Sequence, residues 1–383
     1  MRKFLFGLIC LSLISSFFIK ENVVKADEID LNATSAVLME PISKEVIYSK
    51  NPHEKLYPAS MTKMMGLYLI LEAVDNNKIS FDDEVIVSSY ASSMGGTQIF
   101  LEENEKMSLN DLFKSVAINS ANDAIVAMGE YLASSNEKFV EMMNQKAQEF
   151  NMKDTHFVNA TGFDDPNHYT SAYDMALLGS HLVEFDEKIL KYTSMQEGYV
   201  RENTKEPFWL VNTNKLLKYY EGLDGLKTGY TKNAGYNLTA TAKRNGVRLV
   251  STVMHLDTIA HRSQDTIRLL DYGFSKLKAV SLFNKDDVVS SFVIDETLKK
   301  YLNVCVKQEV KLIIEKNENI DDIKIKAVLE KNLDKYDLGE EVGYLEIITP
   351  SNKIFKYKIY ASNEVKGINF FMYLINIFKR LFA

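Results

Sequence analysis

From Met61 to Val74 the chain reads MTKMMGLYLILEAV, and only Thr62, Lys63 and Glu72 interrupt an apolar run. A surface helix carries a wide polar face. This segment has none, which predicts a helix buried around most of its circumference. Residues 34–49 are two apolar runs on either side of Pro41 and predict two strands joined by a proline-containing turn. Residues 107–133 return to helical spacing, with Leu109, Leu112 and Val116 on one face. The pattern breaks at Asn119-Ser120-Ala121-Asn122-Asp123. Two helices are therefore predicted, the second starting where Ser, Asn and Asp side chains can cap free N–H groups. Residues 235–256 read as a hairpin around Asn245-Gly246, a type I′ turn signal. Residues 263–277 are helical again. Strands at both ends with helices between predict an α/β (α+β) domain over 27–278.

After Val280 the pattern becomes short alternating runs such as DVVSSFVID and KLIIEK, separated by turn residues. This predicts a small all-β domain over 282–362. The last run, 366–383, places Lys366, Asn369, Tyr373, Asn376 and Arg380 on one narrow stripe of a helix whose other faces are apolar. It is too short and too striped to span a bilayer, which needs about 20 apolar residues. It predicts an amphipathic helix lying in a membrane interface, the alternative being a helix packed on its own protein.

The N-terminus adds the compartment. Arg2 and Lys3 precede an apolar core, and Val24-Lys25-Ala26 offers a small-residue exit. Residues 1–26 are expected to be a cleaved secretory signal rather than a membrane anchor, which makes the protein exported. Without them the formal charge moves from −7 to −10, because Arg2, Lys3, Lys20 and Lys25 leave with Glu21. An acidic chain is a poor nucleic-acid binder, since such binding rests on neutralising phosphates. Cys305 is then the one remaining cysteine, so no internal disulfide can form.

The buried run also carries candidate chemistry. Ser60 and Lys63 are three residues apart, hence neighbours on one helical turn, and Pro58 favours a helix beginning there. A free lysine, with a pKa of about 10.4, is a poor base at neutral pH. Burial and a second nearby cation would lower it, and neutral Lys63 could then take the proton as Ser60 attacks a carbonyl. The Ser-x-x-Lys spacing recurs at Ser135…Lys138 and Ser275…Lys278, so spacing alone does not select it. Two further elements change the weighing. Ser120-x-Asn122 lies at the helix break, although Ser-x-Asn recurs at Ser49…Asn51, Ser108…Asn110 and Ser134…Asn136, and Lys227-Thr228-Gly229 is the chain's only Lys-Thr-Gly. The latter offers a cation and a hydroxyl to a carboxylate, and its glycine lacks the Cβ that would block a close backbone approach.

The order Ser-x-x-Lys, Ser-x-Asn, Lys-Thr-Gly resembles the penicillin-binding proteins and serine β-lactamases. The stretches YPASMTKMM, SANDA, FVNATGFDDPNHYTSAYDMA and DGLKTGYTKNAGYNL are similar to the low-molecular-mass D-alanyl-D-alanine carboxypeptidases. The likeness covers signal, catalytic domain, β domain and amphipathic tail. It implies that Ser60 is acylated by the penultimate D-alanine of a peptidoglycan stem peptide, with Lys63 as base and Ser120 as proton relay. It implies that Asn122 holds the substrate backbone and that Lys227, Thr228 and Arg262 bind the terminal carboxylate. The N–H groups of Ser60 and Tyr230, which comes directly after Gly229, would form the oxyanion hole. β-Lactams would be covalent inhibitors, and the 366–383 helix would hold the enzyme at the outer face of the cytoplasmic membrane. No cofactor or metal is implied. Where the family often has an arginine before the Lys-Thr-Gly strand, this chain has Thr213.

Four alternatives compete with this likeness. A β-lactamase of class A needs a Glu-x-x-Leu-Asn loop, which is missing; Asp164 and Asp165 suit turns better than chemistry. A D,D-endopeptidase would use the same three motifs. A metallopeptidase lacks His-Glu-x-x-His, and His156 and His168 fit loop structure. A silent wall-binding protein would not need every motif residue.

Overall fold

In the computed structural model the described residues are 29–185, 187–202, 204–295, 300–330 and 335–367. The expected signal 1–26 and most of the expected helix 366–383 lie outside them. The folded elements all belong to one unit that begins at Leu31.

The first strands are β1 (Ser35–Glu40) and β2 (Glu45–Lys50), joined by the turn through Pro41. Every residue of β1 is buried, because it lies inside the sheet rather than at its edge. Helix α1 (Lys63–Asp75) is preceded by a single 3-10 turn over Ala59–Thr62. Ten residues of α1, from Lys63 through Leu71 and at Ala73, are buried, which explains its missing polar stripe. It is the central post of a helical lobe. Around it pack α3 (Leu109–Asn119), α4 (Asn122–Ala133), α5 (Asn136–Glu149) and α6 (Ala172–Leu182). A short ribbon of β3 (Glu84–Ile86) and β4 (Lys106–Ser108), with the one-turn α2 (Ser89–Ser92) between them, closes one side. Each buried Leu, Ile, Met or Phe in this core contributes about 1.5–3 kcal/mol.

The lobe continues through α7 (Glu187–Thr193) and a small hairpin of β5 (Glu197–Val200) and β6 (Phe208–Val211). The chain then returns through β7 (Leu223–Thr231), β8 (Gly235–Arg244) and β9 (Val247–Leu256). These complete an antiparallel sheet in the order β2-β1-β9-β8-β7. At the β8–β9 turn Asn245 and Gly246 both have positive φ, 48° and 80°, as a type I′ turn requires. Helix α8 (Ile259–Lys276) covers one face of the sheet and α6 the other. Strand β7 is left at the edge, facing the helical lobe.

Strand β10 (Leu277–Phe283) continues from α8 without a linker and pairs with β13 (Val310–Glu315), so residues 279–281, between the two expected domains, are strand as well. The remaining strands are β11 (Val288–Asp295), β12 (Lys300–Cys305), β14 (Lys324–Leu329), β15 (Glu341–Ile348) and β16 (Ile354–Ala361). They form a second sheet in the order β11-β12-β16-β15-β14. This all-β part has its own core of Leu302, Val304, Leu312, Ile314, Leu345, Ile347 and their neighbours.

Candidate active site

The nucleophile candidate sits in the 3-10 turn before α1, not on the α-helix itself. Side chains at i and i+3 eclipse in that geometry, and Lys63 Nζ lies 2.9 Å from Ser60 Oγ. A second contact fixes the lysine: Nζ donates to the Thr161 carbonyl at 2.7 Å. Lys63 is fully buried. Burial first, and then the charge of Lys227, hold its pKa well below the usual lysine value, opposed by Asp123. In the neutral form one N–H is committed to Thr161, so the lone pair is free to accept the Ser60 proton across the same 2.9 Å contact.

The turn is held from three sides. Ala59 has φ +48°, a strained value for a residue with a Cβ. Against it lies Gly162, at φ +88°, where a Cβ would fall 1.9 Å from the Ala59 carbonyl oxygen. From the sheet side Gly229 of β7 approaches so closely that its Cβ would stand 2.5 Å from the Pro58 carbonyl oxygen. Asn237 of β8 donates to the Tyr57 carbonyl at 2.9 Å. Beneath, Thr62 Oγ1 is 2.8 Å from His168 Nε2 while the Val158 N–H donates to Nδ1. That pattern assigns the ring proton to Nε2. Burial pushes the His168 pKa down to about 4. Its role is structural, as expected.

Ser120 ends α3 in the left-handed conformation, φ 68°, where Gly or Asn is usual. It is 4% exposed and its hydroxyl has no hydrogen-bond partner among the described residues, an arrangement that costs about 1–3 kcal/mol. The expectation that Ser, Asn or Asp would cap the next helix is not met. Its N-cap is Ala121, without a side-chain bond. Asn122 instead donates to the Gly95 carbonyl at 2.7 Å, and buried Asp123 accepts from the N–H groups of Ile99 and Leu101 at 3.0 Å each. Both side chains clamp the 94–101 loop onto α4.

Lys227 and Thr228 are buried on β7. Burial, then Arg262, pulls Lys227 down to about 7. Arg262, on α8, is itself lowered to about 10 by burial, and its Nε has no partner among the described residues. The Thr228 hydroxyl donates to Thr213 Oγ1 at 2.7 Å. The structure thus gathers Ser60, Lys63, Lys227, Thr228, Gly229 and Arg262 around one point on the edge of the sheet. Tyr230 turns outward, 56% exposed and stacked on Tyr236 with centroids 4.3 Å apart.

Two contributors were not read from sequence. The Thr161 carbonyl is backbone and leaves no residue-type signal. Asn159 organises that loop, its Oδ1 accepting from Thr161, Gly162 and Phe163 N–H groups; an Asn three before a Gly was the available hint. Thr213, which stands where the family often has an arginine, accepts from the Thr228 hydroxyl. The competing motif copies resolve as structure. Ser135 is the N-cap of α5, and Ser275 bonds the Tyr272 carbonyl.

Fold and site together define a protein of the penicillin-binding type, in which a buried lysine contacts a serine beside a second buried lysine and an arginine. The sequence profile described as D-alanyl-D-alanine carboxypeptidase matches residues 20–258, and that of the penicillin-binding protein 5 C-terminal domain matches 278–367. The chain belongs to the D-alanyl-D-alanine carboxypeptidase family. The D-alanyl-D-alanine carboxypeptidase DacF of Bacillus subtilis is 38% identical over 371 residues, 97% of this chain and 95% of that protein. Among solved structures, penicillin-binding protein 5 of Haemophilus influenzae is 29% identical with a TM-score of 0.72, covering 90% of this chain and 100% of its own. Penicillin-binding protein D2 of Listeria monocytogenes, solved in an ampicillin-bound form, is 33% identical with a TM-score of 0.58 over 64% of this chain and 99% of its own. The protein is a serine peptidase of this family.

Proposed function

We propose that Ser60 is the residue acylated and that the other roles divide as the geometry suggests. Neutral Lys63 takes the Ser60 proton as Oγ attacks the penultimate D-alanine carbonyl. The oxyanion forms against the N–H groups of Ser60 and Tyr230, donors worth about 3 kcal/mol each. The proton passes to the leaving D-alanine nitrogen through Ser120, whose unpartnered hydroxyl is available for it. Water then cleaves the ester, giving its proton back through the same groups and restoring Ser60. Lys227, Thr228 and Arg262 bind the terminal carboxylate, Gly229 admits the substrate backbone to β7, and Asn122 holds the stem's amide. The observation that carries this reading is the buried Lys63 amine poised between Ser60 Oγ and the Thr161 carbonyl.

The proposal extends to the ends of the chain. Residues 1–26 would direct export, 27–278 catalyse, 282–362 act as a spacer, and 366–383 rest on the outer face of the cytoplasmic membrane. Among the described residues no helix is long and apolar enough to cross a membrane. The test of activity is incubation with a pentapeptide muropeptide and mass analysis of the products. Loss of one alanine is expected. Splitting of a cross-linked dimer with the pentapeptide left intact would make the protein an endopeptidase.

A further inference from the structure

Thr213 joins the carboxylate pocket through Thr228, and its N–H donates to the Ile118 carbonyl near the end of α3 at 3.3 Å. Its two neighbours, Asn212 and Asn214, face elsewhere. With Gln196, Glu197, Trp209 and Lys215 they line a separate cleft of about 270 Å³. Drug-sized ligands occupy about 300–1,000 Å³, so this cleft suits one ring of a polymer better than a whole small molecule.

The cleft is built on the β5–β6 hairpin. Tyr199 and Trp209 are cross-strand partners on its outer face, 47% and 53% exposed, while Val200 and Leu210 point inward and are buried. The platform is seated firmly. Gly198 lets the hairpin lie directly on α3, where a Cβ would fall 3.2 Å from Lys114 Cε and 3.3 Å from Ile118 Cδ1. Lys114 donates to the Tyr199 carbonyl and pairs with Glu202. Two aromatic faces are thus held toward solvent, Trp209 lining the cleft and Tyr199 beside it on the partner strand.

A second observation points to a ligand. Asn214 is 3% exposed. Its Oδ1 accepts from the Leu216 N–H at 3.2 Å, and its own N–H donates to Asn212 Oδ1 at 2.8 Å. Its Nδ2 has no partner among the described residues and almost no exposed surface. A buried donor left unpaired costs about 1–3 kcal/mol, and a turn of this cleft-lining amide would let a carbonyl or hydroxyl satisfy it. An aromatic face for ring C–H groups beside an amide donor, with Glu197 set against Lys215 and Lys218, is the chemistry that takes an N-acetylated pyranose.

We propose that this cleft binds an N-acetylamino-sugar ring of wall glycan, seating the enzyme on the polymer beside the stem peptides it trims. The inference rests on the reading that peptidoglycan is the substrate. It adds a glycan contact on the catalytic domain, apart from the stem-binding edge of β7.

Trp209 is the chain's only tryptophan, so its emission reports on the cleft directly. The full chain is titrated with a β-1,4-linked N-acetylglucosamine oligosaccharide and, separately, with wall glycan stripped of its stems by an amidase. A saturable emission change with both is expected. Tyr199→Ala should weaken it, and Trp209→Ala should cut co-sedimentation with insoluble stem-free glycan about tenfold or more, as loss of a central aromatic anchor does. Acylation by a fluorescent penicillin serves as the folding control for both variants. Unchanged emission, or equal co-sedimentation of Trp209→Ala and the parent, overturns the proposal. So does binding that vanishes in about 1 M salt, since lysines holding an anionic polymer would be screened. A parent protein that fails to take up the penicillin would sink the peptidase reading instead, which the emission change does not depend on.

Discussion

Two lysines in one pocket must hold opposite protonation states for the chemistry to run. Lys63 has to be neutral to act as base, and Lys227 has to be charged to hold a carboxylate. The kcat/KM for a carboxylate-bearing peptide should therefore rise with pH as Lys63 loses its proton. It should fall again as Lys227, held near 7 in the free enzyme by burial and then by Arg262, loses its charge. Because Arg262 lowers Lys227, Arg262→Gln should raise that pKa and move the descending limb to higher pH, besides weakening substrate binding. A limb that stays in place would remove Lys227 from the carboxylate site. His168 sets a different pH limit, on stability. Its folded pKa is about 4 against an ordinary 6.5. Below about 6.5 the unfolded chain takes up a proton that the folded protein refuses until about 4. Stability is therefore lost as pH falls through that window, by about 3 kcal/mol. Denaturant unfolding at pH 7, 5.5 and 4.5 should show the loss, and His168→Gln should flatten the slope by close to one proton.

At the level of elements, the site depends on how closely β7 approaches the turn ahead of α1. Gly229→Ala would drive a methyl group into the Pro58 carbonyl, 2.5 Å away, and neither backbone can yield cheaply. A shift of about 1 Å in such a constellation costs on the order of 100-fold in rate. Stopped-flow acylation by a penicillin should slow by about that factor while the thermal transition stays cooperative. Normal acylation would mean the approach is not needed. The elements themselves were largely legible in sequence. The apolar run at Met61–Val74, the Asn245-Gly246 turn and the break at Ser120 each mapped onto the structure, because burial, turn chemistry and chain reversal leave marks in residue type. Three features left no such mark. The helix starts with a 3-10 turn because sheet and loop grip Ala59 and Pro58, a tertiary effect. Asn122 clamps the 94–101 loop, and the Asp123 carboxylate is shared between that loop's Ile99 and Leu101 N–H groups and the Ala124 N–H at the start of α4. The lysine's second partner is a carbonyl brought in from about 100 residues away.

Over the whole molecule, the catalytic part and the β part keep separate cores. Contacts joining them at the surface include the Lys353–Glu45 ion pair at 2.6 Å and the Lys316 N–H bond to the Lys276 carbonyl at 2.7 Å. The partly exposed ion pair contributes about 0–1 kcal/mol, so catalysis should not rely on the β part. Deleting residues 366–383 should move the protein from the membrane pellet to the soluble fraction and leave penicillin acylation intact. A truncated protein that still pellets in high salt would place the membrane contact elsewhere. The claim on which the rest depends is that Ser60, activated by Lys63, forms the acyl-enzyme. It is tested most directly by treating the protein with a penicillin, digesting it and mapping the adduct by mass spectrometry. The account predicts a single adduct on the peptide containing Ser60, and none in Ser60→Ala. An adduct on another serine, such as Ser120 or Ser135, would contradict it.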